Sequence, residues 1–491
     1  MSHKVVIVGS GIGGLVAAIR LAHYGYKVQV FEKNEGPGGK AGVWHQDGFT
    51  FDTGPSLLTL PQVFIELFTE VKANADEIPK FLQLEEICRY FFRNGKVVHA
   101  WSDKPSFQKE IELCFPKDGS NILEYFEYCK KIYDLTADIF LFSDLLNLKH
   151  LTNPLAWKTF LNLQKIDPFR SVHEANTSFF ESPELLQIFD RYATYNGSDP
   201  FQAPATLNII PHVEYGIGGY YISGGIFTLI KALYSIACRK GVVFHFNQPI
   251  KKILHDKKKI TGVQLMDDSV IQSAIVISNT DVHFTYSRLL GTLPKRFKKA
   301  EPSCSAMVFL WGVKGLLPEL SHHNLFFSEN YKREFIEIFK ENKAPSDPSI
   351  YVSITSKQTP DNAPEDCSNL FVMVNMPWLT EPENREKLIS EMKAKVLKKL
   401  GAYGMEINKE TILVEKVLTP GDLESDTNSY KGGIYGFSSN SRMAAFLRQP
   451  NESGIYKGLY FASGSAHPGG GMPLVALAGI HASNAIMKKY A

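Results

Sequence analysis

Lys4-Val5-Val6-Ile7-Val8-Gly9-Ser10-Gly11-Ile12-Gly13-Gly14-Leu15, followed by Lys27-Val28-Gln29-Val30-Phe31-Glu32, is the stretch that decides the fold. Residues 5–8 are a β-branched run of the kind that forms a buried parallel strand. Gly9, Gly11 and Gly14 stand in the spacing G-x-G-x-x-G. Residues 15–23 keep helical spacing, with Leu15, Ala18, Ile19 and Ala22 on one face. A second strand over 27–31 ends at Glu32. Gly9 lets the chain turn sharply out of the strand. Gly11 lets backbone approach a pyrophosphate with no Cβ in the way, and Gly14 lets the helix pack closely on the sheet. Free N–H groups and the dipole at the helix start attract phosphate. Glu32, 18 residues past Gly14, can accept from ribose hydroxyls. A lone G-x-G-x-x-G also fits a plain glycine turn; strand, turn, helix and acid in this order predict a dinucleotide site.

The chain has 491 residues, long for one core, so two interleaved domains are expected. Hydrophobic content of 44% and charge of 21% belong to a folded globular protein. The net charge is +2, from 53 basic and 51 acidic residues, which implies no broad basic field and argues against nucleic acid as a partner. Cys88, Cys114, Cys129, Cys238, Cys304 and Cys367 are far apart, with no C-x-x-C. This disfavours zinc and dithiol chemistry, predicts no metal site and fits a reducing cytosol. The N-terminal apolar run enters the glycine turn at once, so no signal peptide is expected. The longest stretch without Asp, Glu, Lys or Arg is 458–487. Its glycines at 464, 469, 470 and 471, with Pro468 and Pro473, argue against a membrane span. A cytoplasmic protein is expected, soluble or peripherally docked on a membrane.

Along the chain, residues 33–42 place glycines around Lys40, a second anion-binding turn. Residues 48–56 alternate and then break at Gly54-Pro55, reading as a strand into a tight turn. Over 60–211 helical periodicity dominates, with helices expected at 61–71, 122–142 and 182–193; Pro61 and Pro183 suit first turns. Within it, 137–165 is dense in Leu and Phe, with Trp157, Lys149, Lys158 and Lys165. It reads either as a bilayer-docking surface or as helical core. Glycines return at 216–225, before a helix at 227–240 and strands at 242–246, 259–266 and 270–277. Asp267-Asp268 fits a hairpin turn between the last two. Strands are also expected at 305–313, 349–353 and 370–376, and a charged, solvated helix at 381–400. The aromatic-bearing sheet and its helical cap can enclose a long apolar pocket. Last comes 458–479, a strand, a glycine-rich loop and an uncharged helix whose N-terminal N–H groups can face a second polar group.

With both ends of the chain read, it resembles the bacterial carotenoid desaturases, which belong with the amine oxidases. The resemblance spans the whole length. It is carried by Gly9-x-Gly11-x-x-Gly14 with Glu32, by Gly38-Gly39-Lys40, by Phe51-Asp52-Thr53-Gly54-Pro55-Ser56, by Gly224-Gly225 and, most specifically, by His467-Pro468-Gly469-Gly470-Gly471. It differs from that pattern in two places: the glycine-pair turn ends in Lys40 where Arg is usual, and Ser463 stands where Gly is common.

The resemblance implies an α/β fold: a Rossmann-type FAD-binding domain interleaved with a substrate domain of mixed sheet and capping helices. The FAD domain is expected at 1–62, 215–290 and 450–491, and the substrate domain at 63–214 and 291–449. FAD contacts are implied at Gly9, Gly11, Gly13, Gly14, Glu32, Lys33, Gly39, Lys40, Gly54, Pro55, Ser56, Ile250, Gly464, Ser465, Met472 and Pro473. The loop 468–474 is most similar to the branch acting on hydroxylated or cyclised carotenoids. The implied reaction passes a hydride to FAD and releases a proton, with charge spread over the polyene. His467 is a candidate proton acceptor or a structural loop histidine. The resemblance leaves open a phytoene desaturase, a carotene isomerase or a terminal oxidase, and, in another class, a non-catalytic isoprenoid-binding escort. It also leaves the electron acceptor, oxygen or a quinone, unassigned.

Overall fold

The computed structural model describes residues 3–143, 166–381, 384–441 and 448–490. Val5, Val6 and Ile7 are fully buried, as a β-branched run between two layers must be. They lie in β1 (Lys4–Val8), the middle of a five-stranded, wholly parallel sheet. On one side stand β2 (Lys27–Phe31) and β9 (Val243–His245); on the other, β13 (Ile275–Ser278) and β19 (Leu459–Phe461). The strand order reverses at β1, so a ligand crevice opens beyond the carboxyl ends of β1 and β13. Helix α1 (Ile12–His23) packs between α6 (Phe227–Arg239) and α9 (Met472–Tyr490), and the three share one apolar core with the sheet.

The other large sheet has seven strands in the order β18 (Ile412–Leu418), β14 (Ser305–Lys314), β17 (Cys367–Met376), β16 (Ile350–Ser353), β15 (His323–Phe326), β6 (Glu86–Phe91) and β7 (Val97–Trp101). All its pairings are antiparallel except β15 with β6. Two separate visits of the chain build it. Trp311, Phe309 and Phe326 are buried in it beneath Met392, Val396 and Leu400 of α7 (Arg385–Ala402). Helices α3 (Lys104–Cys114), α4 (Asn121–Phe140) and α5 (Pro183–Asp190) cover its other end with a second, aromatic-rich core.

Smaller pairings tie the sheets together. These are the hairpin β3 (Val43–Gln46) with β4 (Phe49–Asp52), the pair β5 (Phe81–Gln83) with β8 (Tyr220–Ile222), and the meander β10 (Ile250–Asp256), β11 (Lys259–Leu265) and β12 (Val270–Gln272). The Asp267-Asp268 turn is present, with Asp268 at φ 66°.

Two expected elements are corrected. The run 270–277 is two strands in different sheets, because the Ser273 hydroxyl accepts the Ile275 N–H at 3.2 Å and interrupts the ladder. The run 182–193 stops being α-helical at Asp190 and tightens into a 3₁₀ turn over Arg191–Asn196, ending at left-handed Gly197. Of the apolar segment 137–165, residues 144–165 lie outside the described residues.

Candidate dinucleotide site

The first turn is held from three directions. Gly9, at φ 96°, donates its N–H to Phe31 O at 2.8 Å. The Asn279 side chain accepts the Gly11 N–H at 2.7 Å and donates to Ala462 O. Glu32 is buried, accepting the Ser10 N–H at 2.8 Å, the Ser10 hydroxyl at 2.9 Å and the Asn34 N–H at 3.0 Å. A carboxylate offers about four acceptor positions, so one remains for a ribose hydroxyl. Gly11 is the N-cap of α1 and supplies no side-chain cap, which leaves the helix start open to an anion.

The second glycine turn lies on the first. Gly11 and Gly38 are bridged, and the Gly38 N–H bonds to Ser10 O at 2.9 Å. A Cβ at Gly39 would stand 3.5 Å from Gly11 Cα, and one at Gly54 only 1.9 Å from Lys40 O. Gly54-Pro55-Ser56 is thus pressed against Lys40. The Lys40 ammonium donates to Ile434 O at 2.5 Å and to Gly433 O at 3.3 Å. Burial pulls its pKa down to about 8, with Asp281 opposing. Ser56 Oγ lies 2.6 Å from the Tyr351 hydroxyl, itself 2.7 Å from His323 Nδ1. Burial raises the Tyr351 pKa and holds that of His323 well below 6.5, so the histidine is neutral.

The C-terminal loop closes the site. Ala462 N–H bonds to Ser278 O at 2.9 Å, leading the chain from β19 across Asn279. Ser465 Oγ accepts the Val282 N–H at 2.8 Å. A Cβ at Gly464 would touch Gly470 Cα at 3.4 Å, so the loop folds on itself. Gly471 has φ 103°, and α9 begins at Met472 with Pro473 in its first turn. Ile250 opens β10, and just before it Gln248 donates its N–H to Glu32 O at 2.8 Å.

Three of the candidate residues have protein partners of their own. A Cβ on Gly13 would lie 2.2 Å from Ala462 O, so Gly13 serves the meeting of first helix and last strand. The Lys33 ammonium reaches Ser425 O and Asn428 Oδ1, at the end of α8 (Pro420–Thr427). His467 is buried and its Nε2 faces Ser143 O at 2.9 Å, beyond the end of α4. Sequence reading assigned nothing to Asn279 or Arg448. Arg448 is 7% exposed and sits against Gly464 and Gly469. The signal for Asn279 was its position just past β13, beside the switch point.

An open helix start, a glycine cradle, a buried carboxylate with one acceptor position left and buried Lys40 fit an anionic dinucleotide. Among the described residues, no carboxylate lies within ion-pair distance of Lys40 or Arg448. Deeper in the other half, Arg191 and Glu214 pair at 3.0 Å inside a ring of tyrosines: Tyr90, Tyr192 and Tyr195.

Residues 12–311 match the family described as flavin containing amine oxidoreductase. The chain is 40% identical over 482 residues to a 1-hydroxycarotenoid 3,4-desaturase from Flavobacterium sp. (strain P99-3), covering 96% of this chain and 97% of that one. It is 32% identical over 489 residues to a 4,4'-diapolycopene oxygenase from Methylomonas sp, covering 97% of each. An oxidoreductase from Methanosarcina mazei has the same fold at TM-score 0.64 and 18% identity, covering 99% of this chain and 100% of that one.

Proposed function

The chain belongs to the flavin-containing amine oxidoreductase family, and from that premise we propose that it is an FAD-dependent desaturase of the 1-hydroxycarotenoid 3,4-desaturase type, introducing a C=C bond into a hydroxylated or monocyclic carotenoid. The observation that carries this reading is 40% identity along nearly the whole of both chains. Bound FAD supplies the two-electron acceptor for a hydride leaving the saturated carbon pair. The protein's task is alignment in a dry site, since the polyene itself spreads the developing charge.

In this reading Glu32 holds the ribose, and the turns at Gly11 and Gly39 with Lys40 hold the pyrophosphate. The start of α9, at Met472 and Pro473, would offer its dipole to the negative charge of a reduced flavin. Ser56, braced by Tyr351, lines the reacting face. FAD-binding segments 1–62, 215–290 and 450–491 and substrate-binding segments 63–214 and 291–449 are the proposed domains. Large apolar side chains are exposed at Leu113 (80%), Phe169 (59%), Leu123 and Phe142; in this reading they serve peripheral docking on a membrane, where the carotenoid dissolves. Among the described residues no helix is long and apolar enough to cross a membrane.

A second reading, oxygen insertion at a carotenoid end, is favoured by the 32% identity to the diapolycopene oxygenase. The test is incubation with FAD, liposomes and a panel of acyclic, hydroxylated and monocyclic carotenoids, followed by mass analysis. Loss of two hydrogens from a hydroxylated or monocyclic substrate supports the proposal. Gain of oxygen supports the second reading, and conversion of acyclic phytoene alone overturns the substrate assignment.

A further inference from the structure

Among the described residues, Arg448 is a buried cation with no carboxylate within ion-pair distance. Its Nη2 donates to Asn196 Oδ1 at 2.7 Å, and Nη1 reaches Tyr435 O and Gly464 O only at 3.4 Å. A guanidinium offers five N–H donors, so these neutral acceptors leave capacity unused. Burial alone lowers its pKa to about 10, with no carboxylate offsetting that effect. The cation is built into the C-terminal glycine loop. A Cβ on Gly469 would stand 3.3 Å from Arg448 Nε and 3.4 Å from Cζ, so Gly469 backbone lies on the guanidinium. Gln449, next in the chain, is bridged to Ala466 and accepts the His467 N–H at 2.9 Å. Tyr435 packs on Gly470 and closes the other side.

Lys40 is the comparable cation at the second glycine turn; Arg448, which precedes β19 in the chain, packs against the loop that leads into α9. Fixed charge buried beside this loop is unfavourable unless something anionic, or becoming anionic, faces it. We propose that Arg448 tunes the redox potential of the bound flavin: its charge stabilises the negative charge that two-electron reduction places on the pyrimidine edge of the ring. This rests on the flavin reading above. It adds a point charge to the dipole of α9 and makes the bound cofactor a stronger oxidant, which favours removal of hydride from a saturated carbon pair. Asn196 is the positioning residue: it holds one guanidinium nitrogen and, through Nδ2, the Ser439 hydroxyl at 2.6 Å.

The test compares the midpoint potential of purified, FAD-loaded parent protein with those of Arg448→Met, Arg448→Lys and Asn196→Asp, alongside affinity for sulfite, which charges the same edge when it adds to the ring. Arg448→Met is expected to weaken sulfite binding about tenfold and to lower the two-electron potential by about 30 mV, the same factor expressed as potential. Asn196→Asp, which places a carboxylate on the intact guanidinium, is expected to shift it the same way. Arg448→Lys is expected to keep most of the parent value. Parent potential in both Arg448→Met and Asn196→Asp at full flavin content overturns the proposal. Loss of flavin from both also overturns it, making Arg448 a retention residue. If only Arg448→Met loses flavin, Asn196→Asp decides. A parent protein that takes up no FAD would instead refute the cofactor assignment.

Discussion

Gly13 and Ala462 meet backbone to backbone: a Cβ on the glycine would stand 2.2 Å from the alanine carbonyl oxygen and 2.9 Å from Val475 O. The first helix and the last strand therefore touch at a point where no side chain can be inserted. Gly13→Val is expected to cost at least the ~1–3 kcal/mol typical of overpacking, since carbonyls of a strand and a helix yield less than side chains. Thermal unfolding with and without added FAD measures it, and both curves should move down.

Lys40 makes cofactor affinity depend on pH. Its folded pKa of about 8 is below the ordinary 10.5, so in the cofactor-free protein its contribution to stability is present at high pH and is lost as pH falls through about 8. FAD binding has the opposite sign, because phosphate needs the charged ammonium. Affinity should fall as pH rises through about 8, while Lys40→Arg, whose guanidinium does not titrate there, should give a flat profile. Fluorescence titration with FAD from pH 7 to about 9.5 measures both.

Asp52 caps α6 from another element. Its oxygens accept the N–H groups of Ile226 at 2.8 Å and Phe227 at 3.0 Å. Asp52→Ala should cost about 0.5–2 kcal/mol, the range for a lost helix cap. Burial raises the carboxyl to about 6 against those two bonds. A folded pKa above the unfolded value stabilises fully below the unfolded pKa and is lost as pH rises through about 6. The parent protein should therefore gain stability between pH 6 and about 4 relative to Asp52→Asn in denaturant titrations.

Glu32→Ala removes the acceptor of two buried Ser10 donors and, in the proposed FAD site, the acceptor for a ribose hydroxyl. Purified flavin content should drop, and stability should fall by about 1–3 kcal/mol for donors left unmet. Gly11→Val should lose flavin by another route, since its Cβ would stand 2.8 Å from Asn279 Oδ1. Flavin absorbance per protein measures both.

Arg191 and Glu214 form an ion pair that is closed off from water. Glu214→Ala should cost about 3–5 kcal/mol, the penalty for stranding one buried charge, whereas exposed Lys130→Ala, which breaks its pair with Asp134, should leave stability nearly unchanged. Urea unfolding of the two variants makes the comparison.

The parts of the site that were legible in the sequence are those whose chemistry is local. Gly9, Gly11, Gly14 and Glu32 declare a strand, a turn, a helix and an acid within one short stretch, which places β1, α1 and β2. Asn279 was not legible, because its work is to join Gly11 with Ala462, residues near opposite ends of the chain. Arg448 was hidden for the same reason: nothing near it in sequence reveals that Gly469 will lie across its guanidinium. Asp52 reads in sequence as part of a strand and turn, yet its side chain caps α6, which begins at Phe227. The bond from Lys33 to Ser425 O in α8 joins residues 392 positions apart and was hidden in the same way.

The pairing of β13 with β19 also sets an order of events during synthesis. A ribosome delivers β1, α1, β2, β9 and β13 long before it delivers Leu459–Phe461 and the helix Met472–Tyr490 that covers α1. Until then the outer edge of β13 has no partner and the apolar flank of α1 is bare, the conditions under which nascent chains stick to one another or need a chaperone. The cofactor pocket is therefore a late product of translation, so a message cut short before residue 459 should yield aggregating polypeptide rather than a weaker enzyme.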